Sequence, residues 1–367
     1  MRGLNCFLLA LACCLCLGAG AQQSAAPSGS QGQSQVLPAV QTQVPGQEPA
    51  VQARQIQLDV LVTDKSGKLV YGLKKNDFSL LDANRPAEIA AFEALGGGDV
   101  GARPPAQIVL VIDTINLNFR WATLGRDAVI KFLRENGGRL ANPVSVIWMR
   151  DTGVETEGAP TTDGNALAAQ IEAKGVDLRL LTSNTGTWEA IRRFQVSMQQ
   201  LGDIVDSLRK KSGRKLVIWA GPGWPLLSPL RVSATQKEEQ NLFRTIVDLN
   251  TQLREGQIAL YGMLMGVTST FTDTYQDYLK GVRKPSEVVP NDLNFKVLAV
   301  QSGGRILEPS NQLETGIERC VQDADGYYRI WFTAPPATAP DEYRDLKLKV
   351  NKPGLTVRTN MGYYNQP

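Results

Sequence analysis

Histidine is absent from the 367 residues of this sequence. Its absence excludes Ser-His-Asp and Cys-His catalysis, histidine-ligated zinc or iron, and the usual proton shuttle near neutral pH. Carboxylates, Lys or Tyr could still catalyse a reaction, but no G-x-S-x-G elbow stands in a strand–turn–helix context. The S-x-x-K string at 207–210 is better explained by a charged helix. The sequence therefore predicts a protein that is not an enzyme.

A large excess of charge of one sign is also lacking. The chain has 39 Lys and Arg against 36 Asp and Glu, for a formal net charge of +3. A nucleic-acid-binding surface needs clustered positive charge, and no basic stripe is found. Nucleic acid is therefore not predicted as a partner.

Cysteine is scarce outside the first sixteen residues. Four of the five cysteines lie there, and the fifth is Cys320. If the N-terminal segment is removed, no intramolecular disulfide can form. We expect Cys320 to be a small buried residue, and a reactive thiol is the alternative.

The N-terminal segment has the pattern of an export signal. Arg2 precedes an apolar run over 7–17, and Ala19-Gly20-Ala21 provides a small-x-small cleavage site. The run is shorter than the roughly 20 residues that cross a bilayer, so no transmembrane span is predicted in the mature chain. Lipid attachment at Cys13 or Cys14 is an alternative, although the preceding residues fit its motif poorly. We expect a signal peptide over 1–21 and Sec-type export to the periplasm, the outer envelope or the medium.

Residues 22–52 are rich in Gln, Ser, Pro, Ala and Gly and contain no aromatic residue, a composition typical of a disordered linker. The following segment, 53–97, contains short alternating apolar runs that predict strands. The C-terminal segment, 326–367, is also strand-like. Each segment is too short to close a core alone. We therefore expect them to pair in one small β-sandwich.

The segment between them, 104–325, alternates strand-like and helical patterns. "QIVLVID" reads as a buried parallel strand, and a long amphipathic helix is predicted from near Thr187. Thr235 and Glu238 predict a capping box for another helix. This order predicts a doubly wound, mostly parallel sheet, inserted in or packed on the sandwich. Ligands of such sheets bind at the carboxyl ends of strands, where Asp113 follows "VLVI".

The strings "VLVIDTINLNF", "VTDKSGKLVYGLKKNDFSLLDANRPAEIAAFE", "YYRIWFTAPP" and "LKLKVNKPGLTVRTNMGYY" resemble the acidobacterial exported family related to von Willebrand factor A-type domains. The resemblance covers about residues 55 to 364. It implies a von Willebrand A-like domain over 104–325. In the broader family that domain binds Mg²⁺ or Mn²⁺ through D-x-S-x-S after the first strand, a later Thr, and an Asp after the fourth strand.

Mapped by this resemblance, Asp113 matches the first Asp, while Ile115 and Leu117 replace both serines. Thr185 is the best match for the threonine, with Thr187 second. Glycine, at 221 or 223, stands near the expected distal Asp. Hard cations need several oxygen ligands, and only Asp113 and Thr185 remain as candidates. The resemblance thus implies a degenerate metal-ion-dependent adhesion site and no required cofactor.

We expect protein partners to bind around Asp113, Asn116, Thr185 and Trp224. Exposed Trp is enriched at binding hot spots, and the "GPGWP" segment reads as an exposed turn. The predicted function is an exported adhesion or scaffold module that is not an enzyme. One alternative is an adhesin or receptor whose divalent metal is completed by unorthodox ligands such as the amide oxygen of Asn116. The other is a histidine-independent envelope hydrolase.

Overall fold

The structure is a computed structural model, and it describes residues 54–96, 106–174, 187–221, 223–224, 235–263, 265, 275–307 and 313–366. The predicted signal peptide and linker lie outside the described residues. None of the helices within the described ranges is long and apolar enough to span a membrane.

Fourteen strands are formed by the described residues. They are β1 (Gln55–Thr63), β2 (Phe78–Asp82), β3 (Arg85–Ala87), β4 (Ile89–Gly96), β5 (Gln107–Asp113), β6 (Arg139–Arg150), β7 (Gly153–Asp163), β8 (Lys215–Ala220), β9 (Ile258–Met263), β10 (Arg305–Leu307), β11 (Gly326–Thr333), β12 (Glu342–Val350), β13 (Thr356–Arg358) and β14 (Gly362–Asn365).

Six α-helices accompany these strands in the same part of the chain. They are α1 (Phe119–Arg134), α2 (Gly164–Ala173), α3 (Thr187–Arg209), α4 (Gln236–Glu255), α5 (Phe295–Gln301) and α6 (Leu313–Val321). The predicted capping box is confirmed, because the Thr235 and Glu238 side chains each bind the other's backbone N–H at the start of α4. The predicted long helix is also confirmed, and its described part runs from Thr187 to Arg209.

A six-stranded sheet in the order β10-β9-β8-β5-β6-β7 lies at the centre of the α/β part. All neighbours are parallel except β6 and β7, which are antiparallel. One of its two central strands, β5, is buried from Ile108 to Asp113. A strand covered on both faces has no polar alternation, which explains the continuous apolar run in the sequence.

Helices cover both faces of this sheet. On one face, Val109 and Val111 of β5 belong to a hydrophobic cluster that includes Leu201 of α3, Ile246 of α4 and Leu298 of α5. On the opposite face, Ile108 and Leu110 belong to a second cluster that includes Val129 of α1, Leu167 of α2 and Ile317 of α6. The fold is therefore a mixed α/β arrangement around a mostly parallel sheet.

Two further four-stranded sheets combine segments from both ends of the chain, in the orders β13-β1-β11-β4 and β14-β12-β2-β3. β1 pairs antiparallel with β11 from Gln55↔Thr333 to Val60↔Tyr328. β2 pairs antiparallel with β12. Both sheets contribute to one hydrophobic cluster, in which Ile56 and Ile330 of the first meet Leu80 and Tyr363 of the second.

The C-terminal strand also contacts the α/β part directly. The ring of Tyr364 in β14 packs edge-on against Phe243 of α4, with the centroids 6.0 Å apart. The Tyr364 hydroxyl donates a hydrogen bond to the Val282 carbonyl oxygen at 2.9 Å. The α/β part and the four-stranded sheets therefore share buried contacts.

The region from 267 to 325 contains more regular structure than its sequence indicates. β10, α5 and α6 all lie in it, and they are three, seven and nine residues long. Elements this short contain too few repeats of the hydrophobic pattern for it to be recognised in the sequence. They are stabilised by packing against neighbouring elements. β10, for example, pairs in parallel with β9.

Candidate functional site

Asp113 ends β5 at the carboxyl edge of the six-stranded sheet, and it is fully buried. Its Oδ1 atom accepts hydrogen bonds from the backbone N–H groups of Ile115 and Asn116, both at 2.9 Å. Its Oδ2 atom accepts from the Asn116 side-chain amide at 2.9 Å and from the Trp219 indole N–H at 3.0 Å. The carboxylate therefore accepts four hydrogen bonds from the chain itself.

An ionised carboxylate offers about four lone-pair directions, and four donors occupy those of Asp113. Burial raises the pKa of Asp113 above its ordinary value, while the hydrogen bonds from Asn116, Trp219 and Ile115 act in the opposite direction. Each donor is electrically neutral. The side chain is therefore held by dipoles, and a metal ion would have to displace at least one of them.

Ile115 and Leu117 stand where the resemblance places serines, and both are buried, at 3% and 9% exposed. Ile115 belongs to the cluster on the α3–α4 face of the sheet, and Leu117 to the cluster on the α1–α2 face. The loop after Asp113 is thus anchored by apolar packing on both faces. The two positions carry hydrophobic anchors in place of hydroxyl ligands.

Gly221 follows β8, close to the position of the family's distal Asp. A Cβ atom placed there would lie 2.9 Å from the Cβ atom of Asp113 and 3.3 Å from its Oδ2 atom. A side chain fits only if Asp113 moves, and a carboxylate would also bring a second negative charge against it. The geometry therefore disfavours an Asp at this position while Asp113 keeps its present place.

Asn116 presents its amide nitrogen to Asp113, and the same nitrogen donates to the Ser197 hydroxyl of α3 at 3.0 Å. Its Oδ1 atom is buried and has no hydrogen-bond partner among the described residues. Asn116 therefore connects the strand end to α3. Ser197 and Trp219 complete this network, and neither was predicted from the sequence. The signal was the indole N–H of a Trp in the apolar run 216–220, because a buried indole N–H needs an acceptor.

The expectation that Trp224 is exposed is wrong. Its side chain is 2% exposed and packs edge-on against Trp219 and Phe295, with ring centroids 5.9 and 5.5 Å apart. Its indole N–H donates to the Leu293 carbonyl oxygen at 2.8 Å. Gly223, at φ +70°, is also buried and lies against Phe295. Trp224 is a core residue and cannot contact a partner directly.

Thr185 lies outside the described residues, as does the side chain of Thr187. Of the four residues expected to bind a partner, the structure brings Asp113 and Asn116 into direct contact. Within the described ranges, no group of three or more acidic or thiol side chains is placed to hold a metal ion.

Two exposed apolar side chains lie just beyond this network, in the first two turns of α1. Asn118 caps the helix by accepting the Trp121 N–H at 3.1 Å. Phe119 and Leu124 are 58% and 40% exposed, although the same helix buries its other face in the core. Arg120 lies 5.9 Å from the Trp121 ring. The start of α1 therefore presents apolar and cationic groups to solvent.

Comparisons with known proteins give no family. No family model matches the chain, and no curated protein matches it. Solved structures similar to it include the proximal thread matrix protein 1 of the mussel byssus, at 13% identity and a TM-score of 0.30 over 64% of this chain. The pilus adhesin SpaC of Lactobacillus rhamnosus GG matches at 10% identity and a TM-score of 0.35 over 83% of this chain.

The N-terminal domain of TFIIH p34 matches at 10% identity and a TM-score of 0.29, over 59% of this chain and 96% of that domain. This chain spans 50% of the length of the byssus protein and 47% of that of the pilus adhesin. Likenesses at these scores carry no argument about activity or partners.

Proposed function

We propose that this chain is an exported protein–protein interaction module that is not an enzyme and requires no metal. In this proposal the α/β part is a von Willebrand A-like domain, and the two four-stranded sheets form the β-sandwich into which it is inserted. The sandwich proposal is supported by the pairing of β1 with β11 and by the cluster that both sheets share.

The proposal that no metal is required rests on the hydrogen bonding of Asp113. Its carboxylate accepts four hydrogen bonds from the chain, at 2.9 to 3.0 Å. A hard cation at this strand end would need several free oxygen ligands. Ile115, Leu117 and Gly221 offer none. The ordered network therefore replaces the ion as the support of the loop.

The exposed start of α1 supports a partner surface. Large apolar side chains at a surface are a feature of interaction sites, and Phe119 is the most exposed large apolar residue of the described part of the chain. It begins α1 directly after the loop that Asp113 orders. We therefore assign recognition to Phe119 and Leu124, with Asp113 and Asn116 as their support.

The metal-free part is tested by calorimetric titration of Mg²⁺ and Mn²⁺ into the wild type and Asp113→Ala. We expect no saturable heat from either protein. Tight Mg²⁺ binding that disappears in Asp113→Ala would overturn this part of the proposal and favour the metal-dependent adhesin.

The partner surface is tested by crosslinking to envelope extracts with the wild type, Phe119→Ser and Val289→Ser. Val289 is the matched control because it is an exposed apolar residue, at 42%, in a different segment. We expect Phe119→Ser alone to lose the protein that the wild type captures. Equal capture by all three proteins would contradict the assignment to α1.

A further inference from the structure

A pocket of about 570 Å³ lies between the turn that follows β1 and the segment formed by β10 and α6. Among the described residues of its lining are three cationic side chains, Lys68, Arg305 and Arg319, and one carboxylate, that of Asp325. Three positive charges against one negative charge leave a lining of net +2. The pocket is therefore electrostatically suited to an anion.

Two arginines, Arg305 and Arg319, contribute to the lining of this pocket. The guanidinium of Arg305 is held 3.6 Å from the Asp323 carboxylate, and it donates to the Arg319 carbonyl oxygen. The Nε atom of Arg305 is buried, and the Arg305 side chain also interacts with the buried Cys320 thiol. The Arg319 side chain lines the pocket and is exposed. Donors of this kind favour an oxyanion.

The turn that carries Lys68 is fixed by Asp64. Its Oδ1 atom accepts the Ser66 N–H at 2.8 Å, the Ser66 hydroxyl at 2.6 Å and the Lys68 N–H at 3.1 Å. Gly67 takes φ +85°, which the turn requires and which few other residues adopt. An ordered turn lowers the entropy lost when Lys68 meets a ligand.

An aromatic wall completes the pocket. Tyr71 is 43% exposed and lines it, with its ring seated on Gly326. A Cβ atom at Gly326 would lie 2.3 Å from the Tyr71 Cε1 atom, so the glycine makes room for the ring. A ligand bound by the cationic side chains can therefore also pack against the ring of Tyr71.

We propose that this pocket binds an organic anion whose carboxylate or phosphate group lies among Lys68, Arg305 and Arg319 and whose apolar part packs on Tyr71. The inference does not depend on the proposed function, because the pocket and the Asp113 network share no residue.

The test is a ligand-observed NMR titration of the full folded chain with benzoate, acetate and phenyl phosphate. We expect benzoate to bind about fivefold more tightly than acetate, because only benzoate reaches Tyr71. Tighter binding of phenyl phosphate than of benzoate identifies the anion as a phosphate, and the reverse order identifies a carboxylate.

The variants Lys68→Gln and Arg319→Gln are each expected to weaken benzoate binding about fivefold, because each removes one partly exposed cation. Tyr71→Ala is expected to reduce benzoate to the affinity of acetate. Lys65→Gln is the matched control, since Lys65 belongs to the same turn but does not line the pocket. Absence of saturable binding, or equal affinity in Arg319→Gln and the wild type, overturns the proposal.

Discussion

Two buried aspartates of this protein, Asp113 and Asp323, are stabilised in different ways. Asp113 is fully buried and is bound by neutral N–H donors. Asp323 is 2% exposed and lies 2.8 Å from the guanidinium of Arg358 and 3.6 Å from that of Arg305. Arg214 also donates to its backbone carbonyl oxygen.

The difference teaches that a carboxylate at a strand end is not in itself a sign of a cation. Asp113 lies at the carboxyl end of a parallel strand, where a metal ion would be expected, yet its hydrogen-bond donors are neutral N–H groups. The cations lie around Asp323, between α6 and the β-sheets. Removing the Asp113 carboxylate and removing the Asp323 carboxylate should therefore lower the free energy of unfolding by different amounts. The two losses should also respond differently to a second substitution.

The largest effect is expected from Asp323→Asn. Removing one partner of a buried ion pair leaves the other charge uncompensated, so we expect the free energy of unfolding to fall by about 3 kcal/mol. Chemical denaturation measures this change. Asp323→Asn combined with Arg358→Met should recover part of the loss, because the double variant removes an uncompensated cation. Strictly additive losses in the double variant would show that the two groups are not coupled.

A smaller loss is expected from Asp113→Asn, which keeps the shape of the side chain. The new NH₂ group must face another N–H donor, such as that of Trp219 or Asn116, and cannot accept its hydrogen bond. Because buried donors are left unpaired, we expect the free energy of unfolding to fall by about 2 kcal/mol. Denaturation monitored by Trp fluorescence checks this. Because this substitution leaves no cation without its partner, we expect that removing a nearby charge will not restore the lost stability. Adding Trp219→Phe should instead be less than additive, since both substitutions break the same hydrogen bond.

Gly221→Ala tests how tightly the Asp113 network is packed. The added Cβ atom would lie 2.9 Å from that of Asp113, so we expect a loss of about 1–2 kcal/mol from overpacking. Gly202→Ala is the matched control, because a Cβ atom in the middle of α3 meets nothing within 4 Å. That control should stabilise the protein by about 0.5–1 kcal/mol through helix propensity. Equal effects of the two substitutions would contradict the packing at Gly221.

The smallest effect is expected at a third acidic site, Glu135 beside Glu318, because these carboxyl groups lie near the surface, where solvent screens their interaction. Burial and Glu318 raise the pKa of Glu135 to about 7. Because the folded state binds the proton more tightly, this contribution is complete below about pH 4.5 and is lost as the pH rises to about 7. Unfolding free energies measured across this range should fall less in Glu135→Gln than in the wild type. Glu88→Gln, the substitution of an exposed carboxylate between β3 and β4, should keep the wild-type dependence.

Much of the α/β part could be predicted from local patterns. The continuous run ending at Asp113 predicted a buried strand, and the spacing from Thr187 predicted the long helix, because each pattern repeats over enough residues to be recognised. The short elements after residue 267 could not be predicted, since they depend on partners distant in the chain.

The candidate site divides in the same way. The sequence by itself determined that Ile115 and Leu117 supply no hydroxyl ligands and that no histidine is available, because these are facts of composition. Only the tertiary structure decided that Trp219 and Asn116 take the lone pairs of Asp113, and that Trp224 is buried. These outcomes depend on β8, α3 and α5 meeting the end of β5. Contacts between residues as far apart as 106 positions, as for Asp113 and Trp219, follow from packing and not from any local pattern.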